Sequence, residues 1–337
     1  MRRRSIILVA AGVILASGLT VLYGFPGALV KGSIIAERSL ANVSVHNRNV
    51  VGIDWSYLEG GNKSGPTIVL LHGFGLNKDR WGPLLRDLSG QFHIVAPDLP
   101  GFGATPAVEG QSHGARAQAE RLAEFLNELG IRRFTLLGFS MGGGVAADYA
   151  SRHADRVDRL ILLSAYGVRT VEESDGLKKY KQDRSNGIYF KTAEGFDRVM
   201  NVASENPPFL PGPIKEYIAK NIGAPHYSMH KRILEEMVFG DPGLDAVRSR
   251  LGRLTMPALI LFGNHDRIIN PEAAGIFHRG IRGSEMAILS DCGHMVYLDC
   301  AAETNRHIED FLTEHKAASS DQVVRSDSDN EPKKAQP

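Results

Sequence analysis

A heptapeptide at residues 138–144, GFSMGGG, constrains the fold of this chain more than any other stretch. It follows an apolar run at residues 134–137 and precedes a helix-like segment at residues 145–153. A serine between two glycines at a strand-to-helix junction has the G-x-S-x-G pattern of a sharp turn that exposes the serine hydroxyl. Glycine on either side leaves room where a Cβ would collide with the neighbouring strand or helix. A glycine-rich turn with an incidental serine has the same pattern, so the remaining chain must supply partners for Ser140 before the pattern indicates chemistry.

The chain around this turn alternates short apolar strands with helices. Strands outside the turn are predicted at residues 50–58, 67–71, 93–96 and 160–163. Residues 68–71 are continuously apolar, as expected for a central strand that is covered on both faces. Helical periodicity occurs between the strands, for example at residues 115–129. The sequence therefore predicts an α/β fold with a doubly wound, mostly parallel sheet.

The alternation is interrupted at residues 169–254, where no buried strand is predicted. This interval contains helix-like pieces, a proline-rich stretch at residues 207–211 and scattered aromatic side chains. Apolar strands resume at residues 258–262, and the alternation continues to residue 315. We therefore predict a core formed by residues 50–168 and 255–315, with residues 169–254 inserted as a helical cap.

The N-terminal region has the pattern of a membrane segment. Arginines at residues 2–4 precede an uncharged, apolar stretch at residues 5–25, which is about long enough to span a bilayer as a helix. A signal peptide cleaved near Ala16 is the alternative, but the apolar run continues without a clear small-residue cleavage site. We predict a membrane anchor within residues 1–30 and a linker at residues 31–49.

The charges around this stretch predict its orientation. Because the basic residues before the span outnumber Lys31 and Arg38 after it, the N-terminus is expected in the cytoplasm. The remainder of the chain would then lie on the non-cytoplasmic, periplasm-like side, with secretion after signal cleavage as the alternative. At the other end, residues 316–337 are rich in Ser, Asp and Lys without apolar periodicity, which predicts a disordered tail.

Composition excludes several classes of protein. The net charge is +1 and no basic, aromatic-rich patch occurs, so nucleic-acid binding is not expected. The two cysteines, Cys292 and Cys300, exclude a disulfide-rich scaffold and any zinc-finger spacing. They either form a single bridge or remain free in the core, and the second is the simpler interpretation. The sequence does not indicate an oligomeric state.

Candidate partners for Ser140 occur at predicted strand ends. Reactive groups in an open parallel sheet gather beyond the carboxyl ends of its strands, and two such loops contain Asp266 and His294. We predict that His294 removes the proton of Ser140, and that Asp266 orients the ring and stabilises the imidazolium. Proteins whose fold contains this serine turn have their catalytic residues in the chain order Ser, Asp, His, which is the order found in this sequence. His265 is a rival base and Asp291 a rival acid, although a loop position and turn chemistry explain them better.

Backbone N–H groups near Ser140 are candidates to stabilise a developing oxyanion. Met141 follows the serine, and Phe74 lies in the glycine-flanked loop after residue 71. We predict that these two residues supply the oxyanion donors. No recurring histidine or carboxylate spacing predicts a metal site, and residues 142–144 lack the Lys-Ser/Thr of a phosphate-binding loop. We therefore expect neither a metal nor a cofactor.

Several motifs together carry a family resemblance. They are HGFG at residues 72–75, DLPGFG at 98–103, GFSMGG at 138–143, GNHD at 263–266 and GH at 293–294. With these motifs, residues 51–315 resemble the α/β-hydrolase superfamily, and within it bacterial lipases with an apolar N-terminal segment and membrane-anchored monoacylglycerol lipases. The resemblance implies a serine ester hydrolase, of mono- or triacylglycerol lipase type, that acts through an acyl-enzyme. Epoxide hydrolases and haloalkane dehalogenases have aspartate at the position of Ser140, so their activities are not implied.

The resemblance also implies that the cap supplies an acyl pocket. Cap side chains that could line this pocket, touch a membrane or simply form the cap core are Phe190, Phe196, Phe209, Leu210 and Tyr217. A long-chain ester partitions into membranes, so an anchored enzyme would meet it at the bilayer surface. Two alternatives remain on this scaffold: a hydrolase of carbon–carbon bonds, as in meta-cleavage enzymes with the same serine turn, and a non-catalytic binding protein.

Overall fold

The protein is described by a computed structural model that covers residue 20 and residues 22–315. Most of the predicted membrane segment and the whole predicted tail at residues 316–337 lie outside the described residues. Within the described part of the chain, no helix has both the length and the apolar character needed to cross a bilayer.

The centre of the molecule is an eight-stranded sheet with the order β1-β2-β4-β3-β5-β6-β7-β8. Strands β1 and β2 pair antiparallel, as do β2 and β4, and all other pairs are parallel. The strands are β1 (Val43–Val50), β2 (Ile53–Gly61), β3 (Thr67–Leu71), β4 (His93–Pro97), β5 (Phe134–Phe139), β6 (Val157–Leu163), β7 (Ala258–Gly263) and β8 (Glu285–Leu289). The predicted α/β fold with a doubly wound, mostly parallel sheet is confirmed.

The helices lie on both faces of the sheet and above its carboxyl edge. In chain order they are α1 (Pro26–Leu40), α2 (Gly82–Ser89), α3 (Ala115–Glu128), α4 (Met141–Arg152), α5 (Asp175–Gln182), α6 (Ala193–Ala203), α7 (Gly212–Ile218), α8 (Ala224–Phe239), α9 (Glu272–Gly280), α10 (Val296–Asp299) and α11 (Ala301–Glu314). Helices α5 to α8 lie between β6 and β7, and residues 164–257 contain no strand.

The central strands separate two apolar layers. In β3, Val69 and Leu71 face the layer that contains α3, α4 and α9, whereas Ile68 and Leu70 face the layer that contains α2 and α11. Both faces of such a strand are buried, which explains why its sequence is continuously apolar rather than alternating. This arrangement leaves the loops at the carboxyl ends of the strands free to carry chemistry.

The residues predicted as a linker, 31–49, are instead part of the folded domain. They contribute to α1 and to β1, and β1 pairs with β2 through a tight turn at Val51 and Gly52, both with positive φ. The single strand expected at residues 50–58 is therefore a hairpin. Because β1 is an edge strand that is exposed along most of its length, it has no apolar run by which the sequence could reveal it.

Helix α1 is attached to the domain at its C-terminal end. Arg38 forms a two-pronged ion pair with Asp79, with nitrogen–oxygen distances of 2.7 and 2.8 Å. Near its beginning, α1 packs so closely on α7 that a Cβ at Gly27 would lie 2.4 Å from the ring of Tyr217. The segment after the apolar N-terminal stretch is therefore held against the helices above the sheet.

Candidate active site

Ser140 occupies the strained turn that its sequence predicts. It follows β5, has φ 52° and ψ −117°, and is followed directly by α4. The turn is tight because a Cβ at Gly142 would lie 2.2 Å from the carbonyl oxygen of Leu71, and one at Gly138 would lie 2.3 Å from that of Gly142. Only glycine fits at these two positions, so the sequence pattern and the strained geometry have the same cause. The serine side chain lies at the start of α4 and lines a cavity.

The structure brings His294 to Ser140 from a loop 154 positions along the chain. Its Nε2 lies 2.8 Å from the Ser140 Oγ, within hydrogen-bond distance. The ring packs against Phe139, with a centroid distance of 4.9 Å, and is almost completely buried. Its other nitrogen, Nδ1, lies 2.7 Å from Asp266 Oδ2. With the proton on Nδ1, the ring donates to Asp266 and accepts from the Ser140 hydroxyl, which satisfies both contacts.

Asp266 is held by the backbone of its own loop. Its Oδ1 accepts hydrogen bonds from the N–H groups of Ile268 and Ile269, at 2.8 and 2.9 Å. These two bonds leave Oδ2 directed at His294, so the carboxylate fixes the orientation of the ring. The three side chains predicted to act together are thus in one hydrogen-bonded chain, which can transfer a proton from the serine to the imidazole.

The two rival residues lie outside this chain of contacts. The side chain of His265 is 43% exposed and faces Glu205, at 3.5 Å. Asp291 is an exposed turn residue with a φ of 56°, in the left-handed region that aspartate tolerates. Both positions agree with the interpretation of these residues as loop and turn residues.

The predicted oxyanion donors lie on two segments next to Ser140, the first turn of α4 and the loop after β3. Met141 is the first residue of α4, so its N–H has no partner within the helix. The loop of Phe74 is held by His72, whose Nδ1 donates to the carbonyl of Gly73 at 2.8 Å and whose Nε2 accepts from the N–H of Leu99 at 3.0 Å. Burial lowers the pKa of His72, which favours the neutral ring that both contacts require.

A buried ion pair braces the continuation of this loop. Asp98 accepts from the backbone N–H of Lys78 at 2.7 Å and from its Nζ at 2.6 Å, and also from the N–H of Ala104 at 2.8 Å. The pair is almost fully buried. The sequence motif at residues 98–103 therefore serves to anchor the segment after Phe74, a role that sequence analysis did not assign.

The loop of His294 is closed by a disulfide. Cys292 and Cys300 are bonded to each other, so the expectation of two free core cysteines is wrong. The prediction failed because the sequence alone does not show that α10, between the two cysteines, folds the chain back and brings them together. Asp299 adds a second constraint, since it accepts from the N–H of Gly293 at 2.8 Å and from that of Glu205 at 2.9 Å.

A largely apolar cavity of about 440 Å³ opens above Ser140 and His294. Of the predicted pocket residues, Phe190, Phe196 and Leu210 line it. Phe209 is 89% exposed, and Tyr217 packs beside Gly27 of α1; neither lines the cavity.

Other lining residues were not predicted. Helix α1 contributes Val30, Ser33 and Ile34, and α8 contributes His230. Residues 26–40 are only weakly amphipathic, so the sequence carries little signal for the α1 contribution. A smaller apolar cavity of about 80 Å³ also reaches Phe74 and Ser140.

Two further surface features lie away from this site. A groove of about 740 Å³ between the β1–β2 turn and α3 includes none of the three hydrogen-bonded residues. Among the described residues, one group of potential metal ligands occurs, Glu285, Glu314 and His315, at the exposed far edge of the sheet. Neither feature adds a group to the chemistry around Ser140.

The fold and the serine turn define a class of protein. A sequence profile of the alpha/beta hydrolase fold matches residues 66–199. A solved membrane phospholipase A, described as a bacterial virulence factor, is 31% identical, covers 94% of this chain and 100% of its own, and has a TM-score of 0.81. The chain belongs to the α/β-hydrolase family, as its motifs indicate.

Two relatives in the family with full-length similarity are named as lipases. Lipase 1 of Psychrobacter immobilis is 28% identical, over 82% of this chain and 86% of the relative. Monoacylglycerol lipase abhd6-A of Xenopus laevis is 25% identical, over 91% of this chain and 94% of the relative. The predicted resemblance is confirmed, and the chain is a hydrolase of lipase or esterase type.

Proposed function

We propose that the protein is a serine carboxylic-ester hydrolase, a lipase that acts through an acyl-enzyme on Ser140. The observation that carries the proposal is the hydrogen-bonded chain from Ser140 Oγ through His294 to Asp266, with distances of 2.8 and 2.7 Å. This series of hydrogen bonds ends at Ser140, in a strained turn that lines an apolar cavity where a lipid ester can bind beside the nucleophile.

In the proposed mechanism, Ser140 Oγ attacks the ester carbonyl while His294 Nε2 takes the hydroxyl proton. Asp266 stabilises the imidazolium, and the backbone N–H groups of Phe74 and Met141 donate hydrogen bonds to the oxyanion. When the tetrahedral intermediate collapses, His294 gives its proton to the leaving alkoxide and the acyl group stays on Ser140. Water then attacks the acyl-enzyme, with His294 as base, and releases the acid and the free serine.

The apolar lining of the cavity supports a substrate with a fatty acyl chain. Its lining consists mainly of Ile, Val, Phe, Leu and Met side chains, which come from α1, α6 and α7 and from the loops around Ser140 and His294 and beside α6. Such a surface stabilises a bound acyl chain through the hydrophobic effect. We infer a mono- or triacylglycerol type of lipid ester as the substrate.

The N-terminal segment is proposed to hold the enzyme at a membrane, with the catalytic domain on the non-cytoplasmic side. Exposed apolar side chains continue from this segment into α1, at Tyr23, Phe25, Leu29 and Ile35. A disulfide also fits an oxidising compartment. We expect the full chain in the membrane fraction after carbonate washing, with its original N-terminus; a shortened N-terminus and a soluble enzyme would instead support secretion.

A fluorophosphonate probe tests the nucleophile. We expect covalent labelling of the folded wild-type chain and none of Ser140→Ala. Labelling that persists in Ser140→Ala, or no labelling of the folded wild type, would refute the proposal.

A substrate comparison tests the reaction type. We expect hydrolysis of p-nitrophenyl esters with a preference for long acyl chains, measured with and without detergent micelles. A dienoate ring-fission product provides the comparison for carbon–carbon bond hydrolysis. Faster turnover of the dienoate than of every ester would replace the lipase proposal with this alternative.

A further inference from the structure

His230 stands at the meeting point of the two cavities beside Ser140. Helix α8 lines the larger cavity with His230 and the smaller one, one or two turns later, with Leu234, Met237 and Val238. Both cavities are also lined by Phe74 and Ser140. The position of His230 along the helix therefore places it near the ester group of a bound substrate rather than at the far end of its acyl chain.

Other rings surround this imidazole: two phenylalanines and, one turn earlier on α8, the ring of His226. The His230 ring stacks on Phe102 at a centroid distance of 5.0 Å and packs against Phe74 at 5.4 Å. His230 is only 8% exposed, and within the described part of the protein its Nε2 is buried without a hydrogen-bond partner. Burial lowers the pKa of the ring to about 3, so it is neutral at physiological pH and has one donor and one acceptor nitrogen.

A buried ring nitrogen without a hydrogen-bond partner is destabilising, since buried polar groups are nearly always hydrogen-bonded. A bound substrate can supply the missing partner. In a lipid ester, the acyl chain has no polar atom, and the carbonyl oxygen is directed to the N–H groups of Phe74 and Met141 in the mechanism above. The remaining polar atoms close to the ester belong to the alcohol part.

We propose that His230 hydrogen-bonds a free hydroxyl on the alcohol part of the substrate, next to the ester that is cleaved. The inference rests on the proposed ester hydrolysis and narrows its substrate class. It makes His230 a specificity residue that selects esters of polyols with an unesterified neighbouring hydroxyl, such as partial glycerides, over esters of simple alcohols.

The test compares two esters with the same acyl chain in the full-length enzyme: 1-monooctanoylglycerol, which has free hydroxyls, and methyl octanoate, which has none. In His230→Phe, which keeps a flat ring but no polar atom, we expect the ratio of kcat/KM for the glycerol ester to that for the methyl ester to fall about tenfold. His230→Gln retains donor and acceptor groups and should recover part of this ratio. Taking a ratio cancels any general loss of activity.

His226 provides the matched control. It lies one turn earlier on α8, stacks on His230 at 5.4 Å, donates from Nδ1 to the carbonyl of Ile222 at 2.9 Å and lines neither cavity. His226→Phe should leave the ratio within about twofold of the wild-type ratio. The inference is overturned if His230→Phe also stays within twofold, or if His226→Phe lowers the ratio as much.

A binding measurement separates this inference from the proposed function, and its wild-type arm needs no variant. 1-O-octylglycerol, an ether that cannot be hydrolysed, should bind wild-type protein and Ser140→Ala about tenfold more tightly than octyl methyl ether, by calorimetry. If wild-type protein hydrolyses no ester, the proposed function fails. The affinities of the two ethers still test whether the cavity binds a free hydroxyl, as the His230 inference requires. Equal affinities for the two ethers would overturn the His230 inference while ester hydrolysis stands.

Discussion

At the scale of single residues, the orientation of one imidazole decides the chemistry that this site can perform. His294 reaches Ser140 with Nε2 only while Nδ1 keeps its proton for Asp266. The backbone bonds from Ile268 and Ile269 to Asp266 direct one carboxylate oxygen at the ring. The orientation of the ring therefore depends on the charge and the acceptor character of Asp266.

Replacing Asp266 with asparagine tests this dependence. An amide can donate to Nδ1 and so favours the tautomer with its proton on Nε2, which cannot take the serine proton. We expect kcat for ester hydrolysis to fall by about a thousandfold or more, with little change in the melting temperature. Initial rates on a p-nitrophenyl ester, together with a thermal melt, measure both quantities.

Asp291→Asn is the matched control for this substitution, because Asp291 lies in the loop of His294 but is exposed in a turn. Its kcat should stay within about twofold of the wild-type value. A larger loss in Asp291→Asn than in Asp266→Asn would assign the orienting role to Asp291.

At the scale of elements, the loop between β8 and α11 must hold His294 against a site built by other strands. The disulfide between Cys292 and Cys300 closes this loop, and Asp299 connects it to the end of α6 through Glu205. Constraints of this kind reduce the conformational freedom of the unfolded loop and keep the imidazole in place.

Reduction of the disulfide should therefore destabilise the domain. We expect the free energy of unfolding, from urea titration of the full chain in detergent, to fall by about 2 kcal/mol when dithiothreitol is added. The double variant Cys292→Ala/Cys300→Ala should show no response to the reductant. A wild-type stability that is the same with and without dithiothreitol would contradict the stabilising role of the bridge.

Helix α1 is the element whose importance the sequence least reveals, because it lines the cavity from outside the sheet. Ile34 lines the cavity, whereas its neighbour Ile35 is 59% exposed. In Ile34→Asp, a carboxylate faces the acyl chain, so the ratio of laurate to butyrate ester hydrolysis should fall about tenfold. Ile35→Asp is the control and should keep the ratio. Equal ratios in the two variants would place the acyl chain away from α1.

At the scale of the whole molecule, burial of neutral histidines couples stability to pH. Burial lowers the pKa of His72, His113 and His230 below the unperturbed value of about 6.5. Below that pH the unfolded chain binds protons at these rings more readily than the native protein does. The native state is therefore stabilised above about pH 6.5, and this contribution is lost as the pH falls.

The expected result is a free energy of unfolding that decreases from about pH 6.5 towards pH 4. His230→Phe removes the ring whose pKa is lowered to about 3, so this variant should show a shallower decrease than the wild type. Urea titrations of both proteins at several pH values measure the difference. Parallel pH profiles for the two proteins would contradict the contribution of His230.

A structural feature could be predicted from the sequence when the residues that cause it are close together in the chain. The turn at Ser140 is predictable because two glycines relieve collisions with residues close by, and β3 is predictable because a buried strand is apolar throughout. By contrast, β1 pairs along one exposed edge, and the bond between Cys292 and Cys300 depends on the path of α10. Neither has a local signature that distinguishes it from its alternatives.

The sequence by itself determined the fold class, the family and the identity of the candidate nucleophile, base and acid. It did so because the strand ends, their order and the positions of the glycines can all be recognised in the sequence. Only the tertiary structure decided that His294 and Asp266 lie within hydrogen-bond distance of one another and that α1 forms a wall of the cavity. It alone also shows that a ring nitrogen of His230 has no hydrogen-bond partner among the residues that the structure describes. These facts depend on distances between segments that are far apart in the chain. Tertiary packing determines such distances, whereas a local sequence pattern does not.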